Sequence, residues 1–210
     1  MLNLVTNDIA DQRLLSGSFD AIRLKDNLTI VLDEEEKTAV MRQTIDALRM
    51  PNGGQFSFQN LFRIDAPNGT FYIAQVLIGY PSPLGGRGSQ TFEAKYSYHT
   101  IGIAKMKTDL GITNLRPENK IDKLLEIVFR NDIDFEGAER FNDTYYLASD
   151  NRKKVEEYFN RSFIEAIAKH EDVLLSTRNK QLYISFTDPL NTMQSRAVED
   201  IFRAANFLSR

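Results

Sequence analysis

The chain contains no cysteine and no tryptophan, only two histidines and six prolines, and no run of apolar residues long enough to cross a bilayer. Without thiols there are no disulfides, thiolate metal sites, iron–sulfur clusters or cysteine nucleophiles. The two histidines, His99 and His170, stand 71 positions apart and outside any ligand-type spacing such as HExxH. There is also no G-x-S-x-G elbow, no GxxxxGK[ST] and no GxGxxG. The opening MLNLVTNDIADQRLL has no basic stretch leading into an apolar one, so neither a signal peptide nor an integral membrane segment is expected and the cytoplasm is the default location. Charge of one sign is scarce too. With 26 basic against 29 acidic residues, the net charge of −3 gives no general attraction for nucleic acid.

What is present is an ordinary globular composition, with 42% hydrophobic and 26% charged residues in 210. A chain of this size buries roughly 70% of its unfolded surface, so neither a metal nor disulfides are needed to hold it together. The expected unit is one α+β domain over residues 1–210, with a possible subdivision near residue 110.

The pattern changes period several times. A short helix over 8–15 and a strand over 28–32 are expected first. Asp33 precedes Glu34, Glu35 and Glu36, and Val40, Met41, Ile45 and Leu48 then recur at helical spacing, which predicts a helix over about 34–49. Phe56, Phe58, Phe62 and Ile64 alternate with polar residues and predict a strand with one buried face. After the turn Pro67–Asn68–Gly69, a central strand over 70–80 is expected, covered on both sides. Strands over 90–98 and 101–106 would complete an antiparallel β-meander.

Pro117 reads as the first residue of a helix carrying Ile121, Leu124, Leu125 and Val128. A C-terminal β-α-β-β-α segment follows: strand 144–148, helix 151–169 capped by Asp150, strands 173–177 and 182–187 about the turn Arg178–Asn179–Lys180, and helix 189–208. Three substantial helices are thus expected to pack on the sheet.

Several short motifs recur in a telling order. Gln90–Thr91–Phe92, Leu115–Arg116–Pro117–Glu118, Asp132–Ile133–Asp134–Phe135, Phe141 with Tyr145 and Leu147, and finally Phe159 together resemble a bacterial protein family of unknown function. The resemblance spans about residues 89–187. It implies a fold and carries no activity, and many such relatives look membrane-anchored through an N-terminal hydrophobic region that has no counterpart here.

Two loops carry candidate chemistry. Asp132, Asp134 and Glu136, followed by Gly137, place oxygens at alternate positions before a tight turn, as the first half of a calcium loop does. Against that reading, Asp143 stands where the longer Glu is wanted, and Glu139 where an apolar residue is wanted. The plain alternative is an extended segment that buries Ile133 and Phe135 and leaves its acids in water. The second loop holds Gly85, Gly86, Arg87 and Gly88, whose backbone amides and guanidinium suit an anion, although a hairpin loop between strands needs no ligand.

With no convergent catalytic set and no cofactor motif, the expected function is a non-catalytic binding or assembly module acting through protein partners. The alternative is a metal-dependent hydrolase built on Asp132, Asp134 and Glu136. Nothing in the residues decides whether the chain self-associates.

Overall fold

The computed structural model describes residues 28–31, 33–48, 55–83, 92–118, 132–188 and 194–209. Among the described residues eight strands form one antiparallel sheet: β1 (Leu28–Ile30), β2 (Gln55–Ala66), β3 (Gly69–Pro83), β4 (Phe92–Lys105), β5 (Thr113–Pro117), β6 (Tyr145–Ser149), β7 (Val173–Arg178) and β8 (Gln181–Phe186). Their order across the sheet is β1-β2-β3-β4-β8-β7-β5-β6. The described helices are α1 (Glu34–Leu48), α2 (Glu139–Thr144), α3 (Arg152–Tyr158), α4 (Arg161–Ile167) and α5 (Gln194–Ala204). The fold is α+β, and the ladder joining Gly102–Lys105 to Ile184–Gln181 links strands from either side of residue 110.

Register explains why the sheet has two unlike faces. Side chains opposite one another across a ladder point the same way, so one row can be followed strand by strand. Phe62, Ile73, Gly102, Ile184, Leu175, Leu115 and Leu147 form such a row from β2 across to β6. Apart from Gly102 it is wholly apolar, and it belongs to the face that meets α2–α5. The core on that side combines Phe71, Ile73, Leu147, Leu175 and Ile184 with Phe141, Val155, Phe163, Ile201 and Phe202.

The neighbouring row, Arg63, Tyr72, Ile103, Tyr183, Ser176, Asn114 and Ala148, lies on the opposite face and mixes polar with apolar residues. A smaller core sits there, with Val40 of α1 beside Leu61, Ala74, Val76, Ile101, Ile103 and Tyr183.

Local chemistry sets several boundaries. Asp33 caps α1, its carboxylate accepting from the amides of Glu35 at 2.8 Å and Glu36 at 2.9 Å. The β7–β8 turn falls at Asn179 and Lys180, with φ of 51° and 61°, the left-handed pair that a tight hairpin requires. In the β2–β3 turn the Asn68 side-chain amide donates to the carbonyls of Phe202, Arg203 and Ala205, tying that turn to the C-terminus of α5. The next residue, Gly69, has φ of +149°, and a Cβ there would stand 2.7 Å from both Leu208 Cβ and Ser209 O. The chain after α5 therefore lies directly against β3.

The structure corrects the sequence reading in five places. The uninterrupted alternation expected through Phe56, Phe58, Phe62 and Ile64 is broken, because a β-bulge between Phe58 and Asn60 shifts the register. Phe58 pairs with Val76 but Phe62 with Ile73, on opposite parities of β3. The strands expected at 90–98 and 101–106 are one strand, β4. Pro117 ends β5 instead of starting a helix, and the helix expected beyond it falls on residues 119–131, outside the described ones.

The helix expected over 151–169 is two. Phe159 and Asn160 interrupt it, and the Asn160 side chain caps α4 by accepting from the Phe163 amide at 2.9 Å. Asp150 caps no helix; it accepts from the Ile112 amide at 2.8 Å, while Asn151 occupies the N-cap of α3. The short helix expected at 8–15 and the first residues of the helix expected from 189 also lie outside the described residues.

Candidate functional site

The face that carries α1 holds two adjoining depressions. The first is a cleft of about 370 Å³ between α1 and the sheet. Ala39 and Val40 of α1 form one wall, Ile103 the apolar floor, and Lys105 with Gln181 the far rim. At its other end α1, β2 and β3 bring a polar network together. The Tyr72 hydroxyl donates to Glu36 Oε1 at 2.7 Å, and Arg63 Nη1 reaches the same oxygen at 3.5 Å. Arg63 Nε also donates to Asp65 at 3.2 Å, and Thr70 Oγ1 donates to Asp65 at 2.7 Å.

The charges at that end are thus mutually satisfied. The Thr70 hydroxyl and the Arg63 guanidinium hold the Asp65 carboxyl below its ordinary range. Burial, with the Glu36 carboxylate next to it, pushes the Tyr72 phenol up to about 12. Tyr72 is therefore a protonated hydrogen-bond donor at neutral pH and no base.

Burial also raises Tyr145, whose hydroxyl donates to the His170 carbonyl at 3.0 Å and accepts from the Val173 amide at 3.3 Å. A pKa raised by folding means the folded state holds that proton more tightly, so the stabilisation is present below the ordinary value of 10.0 and is lost as pH climbs towards 12. Melting temperature is expected to fall over that interval. The fall should be shallower in a Tyr72→Phe, Tyr145→Phe double variant, and equal slopes would contradict the assignment.

The second depression is a groove of about 240 Å³ across β8, β7 and β5. Leu174, Tyr183 and Ile101 supply its apolar surface, and Asn114, Arg116 and Ser176 its polar surface. The Arg116 guanidinium lies 4.8 Å from the ring centroid of Tyr146 on β6, a cation–π distance. The two depressions are neighbours on the sheet: Ile103 and Gln181 line the cleft, Tyr183 lines the groove, and Ile103 pairs with Tyr183. No match to the chain is found among protein-family models, curated proteins or solved structures.

The acidic loop anticipated from the sequence is described in full, and it does not gather its oxygens. Asp132 is buried; its Oδ1 accepts from the Ile133 amide at 2.8 Å and the Leu147 amide at 2.7 Å. Asp134, Glu136 and Asp143 are exposed. Among the described residues no three acidic or histidine side chains converge on a point where a metal ion could sit. Ile133 is buried and its amide also meets the Leu147 carbonyl at 2.8 Å, so the segment covers the outer edge of β6. Asp132 is a structural acceptor. Its spacing in the sequence suggests a carboxylate in water or on an ion, and only the tertiary contact with Leu147 reveals its role. Gly85, Gly86, Arg87 and Gly88 lie outside the described residues.

The two histidines lie on separate elements. His99 is in the middle of β4, and His170 lies three residues past the end of α4. Burial lowers the pKa of both rings. Ser97 Oγ and His99 Nε2 are 2.7 Å apart, a contact that two-residue spacing on one strand face produces locally. A nucleophile–base pair also needs a group orienting the base and donors for an oxyanion, and no described carboxylate bonds to this ring.

Proposed function

We propose that the protein is a non-catalytic binding or assembly module of a bacterial cell, cytoplasmic, that acts through protein partners, and that the partner docks on the sheet face carrying the cleft and the groove. One observation supports this reading most: a single sheet carries an entirely apolar row on the side of α2–α5, but on its other side the row through Tyr183, Ser176 and Asn114 turns amphipathic beyond α1. There Leu174 and Tyr183 stand beside Arg116 and Tyr146. Tyrosine and arginine set around an apolar centre are the residue types that dominate the energetics of protein interfaces.

The metal-dependent alternative has less behind it, since Asp132 is committed to two backbone amides and Asp134 and Glu136 face solvent. A photo-reactive side chain at the exposed groove position Asn114, introduced in the cells that make the protein, tests the docking face. A discrete adduct is expected from position 114 and none from Glu157, an exposed residue of α3.

A further inference from the structure

The chain holds two Asn-Gly pairs, the sequence in which a side-chain amide is most readily lost, because glycine leaves its backbone nitrogen open to the neighbouring Cγ. Asn52–Gly53 lies outside the described residues. Asn68–Gly69 belongs to the β2–β3 turn, and there the fold holds both reacting groups. Asn68 Nδ2 donates to the Phe202 carbonyl at 2.7 Å, to the Arg203 carbonyl at 3.3 Å and to the Ala205 carbonyl, so both of its N–H bonds are committed to the end of α5. Gly69 is pressed against Leu208 and Ser209 with no room for a Cβ, and the next amide, that of Thr70, donates to the Ser209 carbonyl at 3.0 Å.

We propose that Asn68 is a conditional deamidation site: closed while the chain at the end of α5 lies on the β2–β3 turn, open when that contact is lost, and unable to restore the contact once it has reacted. In the reaction the Gly69 nitrogen gives up its proton and bonds to Asn68 Cγ, and ammonia leaves from that carbon. Water then opens the cyclic imide at one of its two carbonyls, leaving aspartate or isoaspartate at position 68. Nothing is oxidised or reduced, and water is the sole co-reactant.

The products differ from asparagine in ways this corner does not accept. Aspartate puts a carboxylate oxygen where the amide donated, so it offers nothing to the three carbonyls and brings negative charge to the negative end of a helix dipole. Arg203, the cation in the last turn of α5, is already held by Glu199 at 2.8 Å. Isoaspartate instead routes the main chain through its Cβ and lengthens it, in a turn where Ala66 pairs with Gly69 and only Pro67 and Asn68 lie between. Either product parts the turn from α5.

The full-length protein is incubated at mildly alkaline pH in native buffer and in denaturing guanidinium, and conversion at position 68 is followed by mass and fragmentation of the tryptic peptide 64–87. The hydrogen bonds of the amide have to break before it reacts, so the native rate is expected to be about tenfold or more below the denatured one. Asn68→Asp carries one product directly. It is expected to melt about 1–4 °C below Asn68→Ala, which removes the donor without adding charge.

Equal rates in the native and denatured protein would overturn the inference, by showing that the folded turn does not restrain Asn68. An Asn68→Asp protein that melts with or above Asn68→Ala would overturn it as well, by showing that the end of α5 accommodates the carboxylate. The rate comparison uses the unaltered chain and stands whether or not the variants fold.

Discussion

Phe163→Ala is expected to lower the unfolding free energy by about 3–5 kcal/mol, measured by denaturant titration. The ring is fully buried on α4 and sits among others: 4.9 Å from Phe159 edge-on and 5.1 Å from Phe207 edge-on, between centroids. Phe159 and Phe207 in turn stack at 6.0 Å, and Phe135 stacks on Phe159 at 6.3 Å. Removing the central ring takes its own transfer energy and leaves a cavity that its two ring neighbours, Phe159 and Phe207 on separate segments, are poorly able to fill. Edge-to-face pairs add about 0.5–1.5 kcal/mol beyond burial, which places this site towards the upper end of the range. A loss below about 1 kcal/mol would mean that α4 does not pack as described, and Phe163→Leu, which keeps more of the volume, should lose markedly less.

Gly102→Val should be comparably damaging for the opposite reason. A Cβ at Gly102 would lie 2.4 Å from Val198 Cγ1 and 2.6 Å from Phe202 Cε2. Gly102 is the one position without a side chain in the apolar row, and α5 fills the space with Val198 and Phe202. Overpacking costs about 1–3 kcal/mol where neighbours can shift, and more where they cannot. Here the obstructing atoms belong to two fully buried side chains on one helix, so a cost beyond that range is expected. Pairing Gly102→Val with Val198→Ala relieves one of the two clashes. The double variant should therefore be more stable than additivity of the two single losses allows. Strict additivity would show that α5 does not cross the sheet at this point.

These two sites illustrate what the residues disclose on their own. Phe163 falls in a helical stripe with Val155, Phe159 and Ile167, so its burial is legible, but the same stripe conceals the break at Asn160, because a capped restart preserves the spacing of the apolar residues. Gly102 carries no periodic signal, and its meaning comes wholly from the helix that crosses it. Alternation along β2 is legible residue by residue, yet one bulge at Phe58–Asn60 shifts the register midway along the strand. Strand β5 escapes a reading by pattern because five residues ending in Pro117 offer little of it, and a proline reads equally well as the start of a helix.

The functional face is less legible still. Glu36 reads as an ordinary acid in a helix first turn, Arg63 as the polar half of an alternating strand, and Tyr72 as the second face of a central one. Their meeting is a product of register and of the way α1 lies on the sheet, neither of which spacing along the chain encodes. Lys105 and Gln181 are 76 positions apart and become neighbours only through the β4–β8 ladder.

Docking of a partner on this face is tested most directly by cross-linking from positions 114 and 157 side by side, each carrying the same photo-reactive residue in the cells that produce the protein. The expected result is one discrete higher-mass species from position 114, absent from position 157, and lost when Leu174→Asp is added to a protein whose melting temperature is unchanged. No adduct from position 114, or adducts of equal yield from both positions, would contradict the proposed docking face.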